Sequence, residues 1–382
     1  MAMNIFFTAL EKFATNTAFY NLSIGNIILI LLGFALIYVS VFKEYAPFIL
    51  LPFAIGLIVG NIPLMHGLNI RIDEDGSMFN LLFKGTSSGF FSSLIFLGIG
   101  TIVDFAIIIS NPKLILISIA TQLAIFIGII AALTFGFKLN EASSIGIIAV
   151  VDTPLVVFLS SKISPEMLMP LGFFSLIFIA MLPAIQGTIA KTMVNEKERI
   201  IKMKPARAVS KKEKVILILA VLLISSFIAP ASILFLGMMM LGNIIRESII
   251  IKNVSDSIRT SILDIVLVFF GFTIGLSAEA HYIFKTTCLI IFFISLIAFI
   301  LGSIAGVFIV KLMNKFLDEE NKINPLIGIA GASASFESSK IAQKIGKEYE
   351  QSNHLKVHAM GANLAAIICS ALIAGILLSI MA

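Results

Sequence analysis

Charged residues are scarce in this sequence. Asp, Glu, Lys and Arg make up 13% of its 382 positions against 59% hydrophobic residues, a balance that excludes a soluble globular chain and leaves a polytopic membrane protein. Cysteine is almost missing. Cys288 and Cys369 stand far apart in apolar runs without CxxC spacing, so neither a disulfide framework nor a cysteine metal site is expected. No phosphate-cradling Gly loop, Walker lysine motif or G-x-S-x-G elbow occurs, which argues against an ATP-driven pump. His354 and His358 have the i,i+4 spacing of a metal pair, but the Glu of H-E-x-x-H is absent and the signal is weak. The first residues also lack a basic start followed by a cleavable apolar core. Residues 1–23, with Ile5, Phe6, Leu10 and Phe13 interleaved with Glu11 and Lys12, read as an interfacial helix.

What is present is apolar sequence in long runs. They fall at about 25–43, 45–63, 89–110, 113–136, 144–161, 166–190, 214–230, 258–278, 287–313 and 356–381, giving an all-α chain of roughly ten crossings. The net charge of +5 would suggest nucleic acid in a soluble protein, but here the excess sits in one loop, so no nucleic-acid partner is expected. That loop, residues 191–213, carries Lys191, Lys197, Arg199, Lys202, Lys204, Arg207, Lys211 and Lys212, and the positive-inside rule places it in the cytoplasm. It divides a first membrane half, 24–190, from a second, 214–382. Residues 323–341 are rich in small and polar side chains, which suits a re-entrant segment buried in protein. Ile145-Gly-Ile-Ile and Ile327-Gly-Ile-Ala head similar stretches in the two halves, the pattern of an inverted repeat with a site at the midplane.

Asp152 is the most informative residue. It lies in an otherwise apolar stretch, where a carboxylate costs about 2.5–3.5 kcal/mol and by default marks an ion or proton path. Pro154, with no N–H, breaks the helix beside it and leaves carbonyls free; with Thr153 these are oxygen ligands for a small hard cation. The competing reading is an Asp held by a Lys or Arg of a neighbouring helix. Asn363 is the second candidate, on a helix whose Gly361, Ala362, Ala365 and Ala366 admit close backbone approach, with Ser370 two turns on along the same face. An interhelical hydrogen bond is the alternative for Asn363. Asp104 and Asp264 read as boundary residues, and Arg246 and Glu247 as a structural pair.

Several motifs together resemble one family. Lys138-Leu-Asn-Glu-Ala-Ser-Ser-Ile-Gly-Ile-Ile148, Val209-Ser-Lys-Lys-Glu-Lys214, Gly242-Asn-x-x-Arg-Glu-Ser248, Asn324-Pro-Leu-Ile-Gly-x-Ala-Gly331 and Ser352-Asn-x-x-x-x-His-Ala-Met-Gly-x-Asn363 look like the β subunit of sodium-translocating biotin-dependent decarboxylases. The resemblance runs from about residue 24 to the end. It implies decarboxylation of carboxybiotin delivered on a partner, coupled to sodium export, in an oligomeric complex with a biotin-bearing carboxyltransferase α subunit and a small membrane γ subunit. It further implies a multi-pass protein of the inner (plasma) membrane. Asp152 would be the catalytic acid. Sodium would bind at Asp152, Thr153, Ser333, Ser335, Asn363 and Ser370. The chain itself has no Ala-Met-Lys-Met biotinylation sequence; Lys202-Met203-Lys204 inverts that order.

The departures from the family pattern cluster near the acid. Gly-Gly-Ala-Asp-Gly-Pro-Thr becomes Ala149-Val-Val-Asp-Thr-Pro-Leu155, the usual Tyr of the next span is Phe178, and Val-Ser-Ala-Val-Pro becomes Ala332-Ser-Ala-Ser-Phe336. A secondary cation transporter or a non-catalytic scaffold subunit of the same fold therefore stand as alternative readings.

Overall fold

The computed structural model describes residues 2–64, 69–248 and 250–381, with side chains from residue 6 onward. Among these residues all regular structure is helical. Six helices are long and apolar enough to cross a membrane: Ile24–Phe42, Lys113–Thr134, Pro165–Met193, Lys252–Ser277, Thr286–Asn314 and Lys356–Met381. Met78–Ser87 with Phe90–Ile102 would make a seventh. The ten expected crossings exceed this number because several apolar runs build shorter elements. Pro47–Gly60 spans 14 residues, and the expected crossing at 144–161 is two short helices, Leu139–Val150 and Thr153–Ile163.

The chain forms two compact units. The first contains residues 1–88 and 267–289. Ala2–Thr15 is a helix on which Phe6, Phe7, Leu10 and Phe13 are all exposed; the side chain of Ile5 lies outside the described residues. Pro47–Gly60 crosses the 267–277 segment in near backbone contact. A Cβ on Gly56 would come 2.1 Å from the Phe272 carbonyl oxygen, and one on Gly275 equally close to that of Phe53. Asn61 fixes the end of this crossing, donating to the Ala278 carbonyl at 2.9 Å and accepting from the Ala280 N–H at 3.0 Å.

The second unit contains residues 89–266 and 290–382. It repeats one motif twice: a long helix, a re-entrant hairpin, a long helix. In the first copy Lys113–Thr134 leads into Leu139–Val150, which turns at Val151 and Asp152 and returns as Thr153–Ile163. Its two ends meet, because Asn140 Nδ2 donates to the Ile163 carbonyl at 2.8 Å and the Ser144 and Ser164 hydroxyls lie 2.7 Å apart. The segment therefore enters and leaves on one side. Pro165–Met193 then crosses back toward the basic loop.

In the second copy Thr286–Asn314 leads into the helices Ile327–Gly331 and Glu337–Tyr349. Asn324 and Asn353, at the two ends of that hairpin, both donate to the Arg199 carbonyl at 2.9 Å, so this hairpin enters from the basic-loop side. Lys356–Met381 completes the repeat. The matching Ile-Gly-Ile triplets occupy matching places. Gly146 packs against Gly128 of the helix preceding its hairpin, with an added Cβ on Gly128 only 3.0 Å from Gly146 Cα. Gly328 packs against Gly306 in the same way, where an added Cβ would meet backbone oxygen at 2.1–2.2 Å.

Candidate functional site

The two hairpin tips meet inside the second unit. Val150 ends the inward limb of the first hairpin, so its carbonyl has no helical partner, and it accepts the Ala334 N–H at 2.8 Å. Val151 follows at φ 52° and ψ 45°, a left-handed conformation that a β-branched side chain rarely adopts. This residue reverses the chain and delivers Asp152 to the N-terminus of the returning helix.

Asp152 is 5% exposed. One carboxylate oxygen, Oδ1, accepts the Leu155 N–H at 3.3 Å as a helix cap, and Oδ2 accepts the Ser370 hydroxyl at 3.2 Å. No Lys or Arg pairs with it among the described residues. The reading of Asp152 as one half of a structural ion pair is thus not what the chain builds. The helix N-terminus supplies partial positive charge, but only a fraction of a unit. Pro154 sits in the first turn, where its missing N–H costs nothing, and it begins the returning helix rather than kinking a continuous one. Its carbonyl accepts the Ser92 hydroxyl at 2.9 Å. The carbonyl freed from the helix beside the acid is that of Val150, in the turn before it, and the Ala334 N–H occupies it.

Asn363 organises the second tip. Its Nδ2 donates to the carbonyls of Ala330, Ser333 and Ser335 at 2.7, 2.6 and 3.1 Å, and its Oδ1 accepts the Ser339 hydroxyl. Three main-chain oxygens thus converge on one amide. The Ser333 hydroxyl accepts the Ser335 N–H at 3.0 Å, and the Ser335 hydroxyl accepts the Glu337 N–H at 3.4 Å. Thr153 lies within the first group, but its hydroxyl pairs with that of Ser175 at 2.8 Å.

The expected residues therefore form two clusters, Asp152 with Ser370 and Asn363 with the Ser333–Ser335 turn. They are joined by the Val150–Ala334 hydrogen bond and by the helix that carries both Asn363 and Ser370. Four further side chains hold the second tip and were not singled out in the sequence. Thr121 donates to the Gly331 carbonyl at 2.6 Å and Ser118 to that of Ala362 at 2.7 Å. Gln186 donates to the Ile329 carbonyl at 2.9 Å, and Ser339 to Asn363. Gln186 was the discoverable one, a fully buried amide in an apolar span. Phe178 is also fully buried, packed on the rings of Phe292 and Phe299, so this position offers no hydroxyl.

Asp104, Arg246, Glu247 and Lys214 form a network away from the tips. Asp104 lies 3.0 Å from Arg246 and 3.2 Å from Lys214, which in turn lies 3.2 Å from Glu247. Partial burial raises the Asp104 carboxyl, but the Ala106 N–H, Arg246 and Lys214 outweigh it and hold the group below its ordinary range. Among the described residues no three His, Cys, Asp or Glu side chains converge as a metal centre.

A sequence profile described as Na+-transporting oxaloacetate decarboxylase beta subunit matches residues 25–381. The chain is 36% identical to the methylmalonyl-CoA decarboxylase subunit beta of Propionigenium modestum, over 97% of this chain and 99% of that one. It is 32% identical to the glutaconyl-CoA decarboxylase subunit beta of Acidaminococcus fermentans, over 99% of each. Its identity with the oxaloacetate decarboxylase beta chain of Klebsiella pneumoniae is 31%, over 94% and 95%.

Proposed function

The chain belongs to the family of Na+-transporting decarboxylase beta subunits, and we propose that it decarboxylates carboxybiotin carried by a partner and couples this step to sodium export. The observation that carries the reading is Asp152, a buried carboxylate at the meeting point of two hairpins with a hydroxyl and a backbone N–H for partners and no Lys or Arg beside it among the described residues. Burying an unpaired charge is expensive, so a cation or a proton is the expected companion of this group. Sodium is the cargo. Asp152 and Ser370 offer it oxygen at one tip, with Thr153 adjacent. Ser333, Ser335 and Asn363 offer hydroxyl, carbonyl and amide oxygen at the other.

Sodium and a proton compete for a desolvated carboxylate. Release of sodium to the far side leaves Asp152 able to take up a proton, which is consumed when carboxybiotin and one proton give biotin and carbon dioxide. Alternation of access between the two sides follows from hairpins that enter from opposite faces. The basic loop, residues 191–213, is the cytoplasmic surface, and the membrane is the inner (plasma) membrane. The partners are a carboxyltransferase α subunit bearing the biotin carrier and a small membrane γ subunit.

The test is sodium-22 uptake into vesicles containing the reconstituted complex, measured with the decarboxylation rate. Wild type accumulates sodium as carbon dioxide is released, and Asp152→Asn reduces coupled uptake to background. Unchanged coupled uptake in that variant removes Asp152 from the mechanism.

A further inference from the structure

On the basic-loop side of the second unit lies a cavity of about 200 Å³, part of whose wall is residues 203–206 of the loop. Its charge is lopsided. Lys113, Lys204 and Lys322 line it against a single acid, Glu320. Lys204 is matched, 3.2 Å from Glu320, and Lys322 pairs with Glu319. Lys113 enters no ion pair among the described residues. It also opens the membrane helix Lys113–Thr134, whose first-turn N–H groups and dipole add positive potential at the same place.

A second observation is independent of charge. His358 forms part of the same wall and is only 6% exposed. It hydrogen-bonds to the backbone of Lys204, yet its Nδ1 is buried with no partner among the described residues. Buried ring nitrogens are ordinarily satisfied, so an orphan on a residue that shares the cavity wall with the unmatched Lys113 points to a bound group that supplies the missing hydrogen bond. The cavity is smaller than those that enclose drug-sized ligands, which limits that group to a few heavy atoms. A carboxylate fits: two acceptor oxygens for Lys113 and the helix N–H groups, with the imidazole at the side.

Its location gives the site a purpose. His358 lies on the helix that carries Asn363 and Ser370, about 8 Å and 18 Å before them at 1.5 Å rise per residue. We propose that this cavity recognises a small carboxylate, and that its occupant is the carboxyl group of carboxybiotin arriving from the basic-loop face. The identity of the occupant rests on the functional reading above; the anion site itself does not.

The experiment uses the complete complex with a carrier subunit carboxylated with carbon-14, and follows release of labelled carbon dioxide against carrier concentration. Loss of one charge-assisted contact in Lys113→Gln raises the half-saturating carrier concentration at least about tenfold, and Lys113→Arg recovers most of it. The sodium concentration giving half-maximal rate stays where it is, as a merely structural defect would not allow. In parallel, carbon-13 bicarbonate is added to the detergent-solubilised complex and its line broadening measured. Wild type broadens the line and Lys113→Gln does not. Broadening lost with carrier saturation unchanged would overturn the assignment to carboxybiotin and leave free bicarbonate as the occupant. No change in either measurement would overturn the site. A wild-type complex without sodium-dependent decarboxylation defeats the functional reading instead, and the bicarbonate result then decides the anion site by itself.

Discussion

Val151 carries the conformational burden of the candidate site. A left-handed backbone costs a residue with a Cβ about 1–2 kcal/mol, and here it is occupied by a β-branched side chain that is 1% exposed. Val150 is equally buried but ends a helical turn at negative φ, so the two neighbours form an internal control. Replacing either by Gly forfeits roughly 1.5–3 kcal/mol of side-chain burial. Only at Val151 does the change also release backbone strain. Val151→Gly is therefore expected to be less destabilising than Val150→Gly by about 1–2 kcal/mol, read as a smaller drop in thermal midpoint of the solubilised protein. Equal drops would mean that the turn is not strained. Asp152 was legible at this scale because a lone acid in an apolar run violates the membrane's own arithmetic. The left-handed turn that presents it was hidden, since Ala149, Val150 and Val151 carry no turn chemistry and the positive φ falls on a β-branched residue.

Among the elements, the re-entrant hairpins depend on backbone meeting backbone. Gly328 on the second hairpin and Gly306 on the helix before it leave no room for a methyl, and the obstructing atoms are carbonyls that cannot rotate away. Gly328→Ala should cost about 1–3 kcal/mol or more and loosen the tip that Asn363 secures. Gly187 lies in the long helix Leu168–Met193 with nothing within 4 Å of an added Cβ. There, Gly→Ala should be neutral or stabilising by up to about 1 kcal/mol through helix propensity. Proteolysis rates of the two variants in detergent check the pair, and similar behaviour would sink the close-crossing argument. The repeated Ile-Gly-Ile triplets signalled this arrangement in the sequence, because a small residue at a fixed place is what a close crossing needs. The hairpins themselves were only half legible. Residues 323–341 read as re-entrant from their polarity, whereas residues 144–161 read as a crossing because hydropathy measures length in residues and cannot see the chain turn back.

For the whole molecule, the decisive issue is on which sides of the membrane the connections lie. A crossing at 139–163 would put residues 138 and 166 on opposite sides, whereas the hairpin closed by Asn140 and Ser144 puts them together. On the proposed topology Pro165–Met193 then places Lys197 on the other side, the cytoplasmic one by the positive-inside rule. Lys138, Glu166 and Lys197 are all exposed, so single cysteines there remain reachable by a reagent. The two native thiols, Cys288 and Cys369, are buried and half-buried, and a Cys288→Ser, Cys369→Ser background removes them. With a membrane-impermeant maleimide, Lys138→Cys and Glu166→Cys should label in right-side-out vesicles, and Lys197→Cys only in inverted ones. Opposite behaviour of positions 138 and 166 would restore a crossing at Asp152 and dissolve the inverted pair of hairpins. Like behaviour of the two leaves the acid at the inner end of a loop that enters from the far side, facing a second loop from the cytoplasm, which is the geometry an alternating-access sodium path requires.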